Sequence, residues 1–441
     1  MKITIINQFY PPDLSPTGKL AQSLAEHRAG QGDEITVIAG TGYAGPSQAV
    51  AVRDATTRSR SVNVWRIWTP RLGKASIWRR MTDYAVFFAL TVWASVRLPR
   101  QDVIICLTTP PFIAIAGFMH KTLHPRTRLI LWNMDCYPEV AERAGVIRPG
   151  GVMSRTMQFL NRCLESVLDH TICLDSAMRD LVLSRRSTRT KIRMEEESRT
   201  ESDSERNSPK SSHSVISNWE RSHSFPTGNS SRAASPDLVQ EAIVLYSGNM
   251  GQGHCFETVL TAAQQLDDQN APVRFIFTGG GGQSLPVQRE VHRRQLRNVD
   301  FLGYVSDDKL RELQHSACCS LITLKDNMLG VMSPSKLHGN LAAGLPILYV
   351  GPRGSNVDDA IQRHQCGVSL CHGDTKRFIE FVNRLRFDLS VRAMYSKRAR
   401  LAFEVEYSDQ HGLTKFDGVI QSVVDQFNHR AVVDQFNRRA A

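Results

Sequence analysis

The sequence predicts an α/β architecture of two doubly wound domains facing each other across a cleft, and three observations carry that expectation. The 441 residues suit two domains of roughly 200 each. Short β-branched runs alternate with helical stretches in both halves, the pattern of parallel sheets covered on both faces. A polar stretch almost without apolar residues separates the halves.

In the first half the strands fall at Ile3–Ile6, Ile35–Ala39, Val62–Trp68, Val103–Leu107 and Leu129–Trp132, with helices around Leu20–Ala29, Ser76–Val96 and Arg155–Leu168. The second half repeats the alternation. Its strands are Ile243–Tyr246, Arg274–Phe277, Ser320–Leu324 and Pro346–Val350, and its helices are Phe256–Gln265, Asp307–Gln314 and Lys336–Ala343. Between them, residues 185–214 hold only Ile192 and Met194 as hydrophobics, too little apolar surface to offset the entropy of ordering, so this segment is expected to be a disordered insertion. Its acidic residues nearly cancel its arginines, which argues against a nucleic-acid arm. VVDQFN at Val423–Asn428 returns at Val432–Asn437, a local duplication extending a terminal helix. The expected organisation is a first Rossmann-like domain over 1–184, the insertion over 185–214, a second such domain over 215–405 and a helical segment over 406–441.

Composition excludes whole classes. Hydrophobic residues make up 41% and charged residues 22%, as in a globular protein with a sizeable core, not a collagen, coiled coil or disordered chain. Nine cysteines without a CxxC pair argue against a disulfide framework or a structural zinc site and suit a reducing cytoplasm. The net charge of +11 attracts polyanions without choosing among them. Most of it is concentrated: residues 53–100 hold ten Lys/Arg against Asp54 and Asp83. Within this stretch, Tyr84–Val96 is an apolar run too short to cross a bilayer. Arginines beside an apolar, Trp-containing helix fit a segment lying on an anionic membrane surface, and fit equally a core helix with solvated charges.

Three loops carry candidate chemistry. After the first strand and Tyr10-Pro11-Pro12, Pro16-Thr17-Gly18 opens a helix, where a glycine lets backbone N–H groups approach an anion. The second half repeats the device in Tyr246-Ser247-Gly248-Asn249-Met250-Gly251-Gln252-Gly253-His254. Neither loop matches the dinucleotide or Walker pattern, but one in each domain points to a phosphorylated ligand at the carboxyl ends of both sheets. In the third loop, Ser333-Pro334-Ser335-Lys336, Ser335 has the chemistry of an N-cap and Gly344-Leu345-Pro346 that of the stop. A cation in a first helical turn opposes the helix dipole, so Lys336 is best explained by contact with a bound phosphate.

With these loops in place the chain resembles a family 4 glycosyltransferase of the GT-B fold, two Rossmann-like domains around a cleft, and within it the colanic-acid and O-antigen type. The resemblance rests on MKITIINQFYPPDLSPTGKL, DVIICLTTPPFIAIAG, LWNMDCYPEVAERAGVI, VISNW, LYSGNMGQGHCFETVL, RFIFTGGGG, VDFLGYV and SPSKLHGNLAAGLPILYVG, in family order. It implies retaining transfer of a sugar from a nucleotide-diphosphate donor, a UDP- or GDP-sugar, without a metal ion or other cofactor. The acceptor would be lipid-linked or another saccharide, at the inner face of the cell membrane, with no nucleic-acid partner. Donor contacts would fall on Gly248, Asn249, Gly251, His254, Ser335, Lys336 and Gly339, and acceptor or phosphate contacts on Pro16, Thr17 and Gly18. Asp135 and Lys336 would carry catalysis, Asp135 occupying an active-site position. Apart from the resemblance, Asp135 also reads as an Asx-turn or cap residue closing its strand. Val331 and Gly339 stand where many relatives place glutamates, so donor recognition by those carboxylates is expected to be lost or taken over by backbone. Two other readings are a nucleotide-sugar 2-epimerase of the same fold and an inactive nucleotide-binding protein.

Overall fold

The computed structural model describes residues 1–13, 15–41, 62–70, 77–185, 212–222 and 241–440. The calls on Arg53, Arg58, Arg60, Arg71 and Lys74, and on residues 186–211, lie outside them.

Two parallel sheets form the frame. β1 (Lys2–Ile6), β2 (Glu34–Gly40), β3 (Val62–Ile67), β4 (Val103–Cys106), β5 (Arg128–Asn133), β6 (His170–Cys173) and β7 (Ser212–Val215) make a seven-stranded sheet in the order β3-β2-β1-β4-β5-β6-β7. β8 (Ala242–Ser247), β9 (Val273–Thr278), β10 (Val299–Gly303), β11 (Cys319–Thr323), β12 (Ile347–Val350) and β13 (Gly367–Leu370) make a six-stranded sheet in the order β10-β9-β8-β11-β12-β13. The central strands are apolar and buried on both faces, as helices covering a parallel sheet require. Strand order reverses between β1 and β4 and again between β8 and β11. Such switch points open a crevice at the carboxyl ends of the strands, and both candidate glycine loops lie there.

The helices that matter below are α1 (Pro16–Gly30), α2 (Ile77–Arg97), α3 (Ala114–Leu123), α4 (Val152–Glu165), α5 (Glu257–Asp268), α6 (Lys336–Ala342) and α7 (Asp409–Ala440). Among the described residues no helix is long and apolar enough to cross a membrane. α7 follows the second sheet in sequence but packs on the first domain. Arg28 and His27 of α1 reach Asp417 at 2.8 Å each, and Phe416 is fully buried against Trp132 of β5 and Trp219 of the segment joining the sheets.

The segment expected to be disordered is ordered at both ends. Arg185 closes the helix over residues 176–185 and pairs with Glu139 through Nε at 2.8 Å. Ser212–Val215 is the edge strand β7, in register with His170–Cys173. The physical reason is local. An edge strand needs backbone pairing on one side only, and His170 holds the alternating Ser212 and Ser214 hydroxyls with its two ring nitrogens at 2.5 and 2.8 Å. Burial lowers the His170 pKa to about 4, so the neutral ring donates to one hydroxyl and accepts from the other.

Candidate active site

The loop after β8 is built on glycine. Gly248 has φ +121° and donates its N–H to Thr278 O at 3.0 Å; a Cβ there would press on the Lys336 side chain. The run Gly279–Gly282 lies directly behind it, and a Cβ on Gly279 or Gly281 would clash with the Gly248 or Met250 backbone. From sequence, RFIFTGGGG supports the resemblance alone, with no contact expected of it; the run's lack of side chains is what allows the two loops to stack.

Lys336, the first residue of α6, crosses to this loop. Its Nζ donates to Asn249 O at 3.1 Å and to His254 Nε2 at 3.1 Å, and stands 4.8 Å from the centre of the Tyr246 ring. His254 is buried, and its Nδ1 lies 2.6 Å from Thr323 O. A carbonyl can only accept, so Nδ1 carries the proton and Nε2 is left as the acceptor for lysine. Burial, helped by the Lys336 charge, lowers the His254 pKa to about 3 and keeps the ring neutral. His254 is thus placed to position Lys336. Burial likewise pulls Lys336 down to about 7, so the ammonium is poised for an anion that restores its charge.

Ser335 does not cap α6: its φ/ψ are helical and its hydroxyl accepts no N–H of the helix. Instead its carbonyl accepts His338 Nδ1–H at 3.1 Å. Ser335 and Pro16 line a cavity of about 380 Å³ between the domains, shared with Lys19, Asn218, Glu220 and His338. Thr17 and Gly18 stay out of it. Thr17 Oγ1 pairs with Ser15 Oγ at 2.9 Å, and Gly18 packs its Cα face on the Phe9 and Tyr10 backbone, a steric reason for glycine.

Asp135 lies across the cleft, where the domains are stitched together. It forms an antiparallel bridge with Met332, its N–H donates to Thr108 Oγ1 at 3.2 Å, and Cys136 N–H donates to Val331 O at 2.9 Å. Met332 in turn fills the space beside Gly253. The loop that carries Asp135 therefore touches the loop that precedes Lys336.

Sequence reasoning missed two carboxylates. Asp175, after β6, accepts Met178 N–H at 2.8 Å and the Ser333 hydroxyl, and burial raises its pKa. Glu220, one residue past the VISNW stretch, stands over Gly339: a Cβ on that glycine would lie 3.7 Å from Glu220 Oε2. Burial raises the Glu220 pKa, while Arg221 N–H and the Lys19 charge oppose. The side of α6 expected to lack a carboxylate thus has one from the inter-domain segment. No pattern within α6 could have shown it.

Residues 241–388 match the family model for Glycosyl transferases group 1. The chain is 36% identical over 102 residues to a protein of Escherichia coli (strain K12) named as a colanic acid biosynthesis glycosyl transferase, WcaI, a match spanning 23% of this chain and 25% of that one. It is 22% identical over 344 residues to a Pseudomonas aeruginosa protein named as a glycosyltransferase, WbjE, spanning 77% and 79%. In structure it is similar to sucrose-phosphate synthase from Thermosynechococcus elongatus (TM-score 0.69, 13% identity, 97% of this chain and 100% of that one). It is also similar to Anabaena HepE in complex with UDP and glucose (TM-score 0.63, 14% identity, 96% and 100%). With two parallel-sheet domains and these structural neighbours, the chain has the GT-B fold, and its residues 241–388 match the Glycosyl transferases group 1 domain.

Proposed function

We propose that the protein is a retaining glycosyltransferase that moves a sugar from a nucleoside-diphosphate donor to a lipid-linked acceptor in surface polysaccharide or lipopolysaccharide synthesis. The carrying observation is Lys336, held at the second-domain glycine loop with one ammonium N–H left over after Asn249 O and His254. Negative charge grows on the departing diphosphate in the transition state, and a preset cation with glycine-loop N–H groups stabilises it without reorganisation. In this reading no metal is needed, since Lys336 takes that charge. The relatives' names support the pathway, and a UDP complex of a protein of the same fold supports the donor class.

Asp135 faces the reacting sugar from the first domain and orients the acceptor hydroxyl. Asp135→Asn is expected to leave donor affinity nearly unchanged while lowering turnover at least about tenfold. Loss of donor binding together with thermal stability would show instead that the residue holds the inter-domain bridge. Glu220 receives donor hydroxyls above Gly339. Glu220→Gln is expected to weaken binding of the nucleotide sugar about tenfold, as for a charge-assisted hydrogen bond, and to leave pyrophosphate binding alone. Equal loss for both ligands removes Glu220 from that role.

The acceptor domain docks on an anionic membrane. α2 packs on α3 and α3 on α4, all on one face of the first sheet, and the side turned away from the core exposes Leu90, Trp93, Val96, Leu123, Met153 and Phe159. Arg79, Arg97 and Arg100 are exposed along the same helix and just beyond it. Not every cation of the stretch points outward: Arg66 turns in to donate to Tyr10 O and Gly40 O. Each surface Arg contributes about 1 kcal/mol near anionic lipid, screened by salt. The protein is expected to sediment with anionic vesicles, less with neutral ones, and Arg79→Glu with Arg97→Glu to weaken this without changing soluble donor binding. Equal partition onto both vesicle types returns α2 to the role of a core helix.

A further inference from the structure

Behind the glycine loop, groups with no part in the chemistry above converge on one sulfur. Cys255 directly precedes Phe256, the N-cap of α5, where the Glu257 N–H points at it. His372, after β13, stands beside the thiol; its Nε2–H donates to Leu324 O at 2.9 Å, and its Nδ1 is buried without another hydrogen-bond partner, the ring nitrogen left to interact with Cys255. Asp326 Oδ1 lies 3.7 Å from the same Nε2. Lys325 is brought alongside by its N–H, which donates to Gly253 O at 2.8 Å. A helix N-terminus, an imidazole and an ammonium around a partly exposed thiol all favour the thiolate. The Cys255 pKa is accordingly held down, chiefly by His372, against the opposing effect of burial. Six of the other cysteines are buried, while Cys163 and Cys371 are exposed, Cys371 beside the Arg353 guanidinium.

We propose that Cys255 is a modification site that exchanges with small disulfides. The thiol gives its proton to His372, and the thiolate attacks one sulfur of a low-molecular-weight disulfide. That S–S bond breaks, a new one forms to Cys255, and the released half leaves as a thiolate that takes the proton back from the imidazolium. The adduct hangs next to His254, in a loop where Gly253 already lies against Met332 with no room for a Cβ. It therefore displaces His254 from Lys336 and weakens nucleotide binding; this consequence, unlike the reactivity, rests on the donor site proposed above.

The test exposes the full-length chain to oxidised glutathione at pH 7 and maps mixed disulfides against time by mass spectrometry, with Cys255→Ser and His372→Asn alongside. Cys255 is expected to react first, on the order of tenfold faster than Cys163 or Cys371, with His372→Asn removing the advantage. UDP affinity should fall in the adduct, recover with dithiothreitol, and be insensitive in Cys255→Ser. Earlier modification of Cys163 or Cys371 in the wild-type chain overturns the site, and unchanged UDP affinity in the adduct overturns the coupling. A chain that binds no UDP at all, yet reacts first at Cys255, contradicts the donor reading and upholds the modification site.

Discussion

Phe416→Ala is expected to destabilise the protein by about 3–5 kcal/mol, the cost of emptying a large aromatic site that cannot collapse. Phe416 is fully buried, with its ring centroid 4.4 Å from that of Trp132 and 5.5 Å from that of Trp219; the two indoles stack at 5.3 Å. Trp219 Nε1–H donates to Ser23 Oγ at 3.2 Å, and Gly412 is the residue that lets its ring lie flat on α7, because a Cβ there would strike it. One knot thus ties β5, α1, the inter-domain segment and the C-terminal helix. Urea unfolding measures the loss. A change under about 1 kcal/mol would mean that α7 does not carry the first domain.

Lys336→Ala is expected to weaken nucleoside-diphosphate binding by roughly 1.5–3 kcal/mol, one charge-assisted hydrogen bond, and to lower turnover by at least as much. pH supplies an independent reading of the same residue. Its pKa in the empty protein is near 7 because burial penalises the charge. A bound diphosphate raises it, so binding takes up a proton above pH 7 and affinity falls as pH rises, by up to about tenfold per unit. Stability runs the other way. The unfolded lysine titrates near 10.5, so the folded chain bears the full cost of the buried charge at and below pH 7 and loses that cost as pH rises toward 10.5. Lys336→Met should therefore raise the melting temperature of the ligand-free protein most at pH 6 to 7, with the advantage fading toward pH 10. Calorimetric titration and thermal melts across pH check both halves. A pH-independent affinity would take Lys336 out of contact with the phosphates.

Those strands and loops that were legible in the sequence share a cause. Central parallel strands must be apolar on both faces, so Ile3–Ile6, Ile35–Ala39 and Val103–Leu107 stand out, and glycine loops at their ends are equally visible. β6 and β7 were not legible because His170, Ser212 and Ser214 satisfy each other with side-chain hydrogen bonds that no hydrophobic pattern reports. The Ser335 cap failed for a related reason: the chain enters α6 already helical, and the acceptor used there is the carbonyl. Glu220 and the return of α7 to the first domain depend on contacts nearly 120 and 390 residues apart in sequence, respectively, and only the assembled fold brings them together. Asp135 could be placed at a strand end from sequence, but its bridge to Met332 could not.

The central claim is that the second-domain glycine loop and Lys336 hold the diphosphate of a nucleotide sugar. Titrating the full-length protein and Lys336→Ala with UDP-, GDP-, ADP- and dTDP-sugars, following thermal protection, tests it most directly. At least one nucleotide sugar should protect the wild-type chain by mass action, with the variant shifted to higher concentrations by roughly tenfold or more, and duplex DNA should protect neither. Protection by none of the nucleotide sugars, or equal protection of wild type and variant, would contradict the claim.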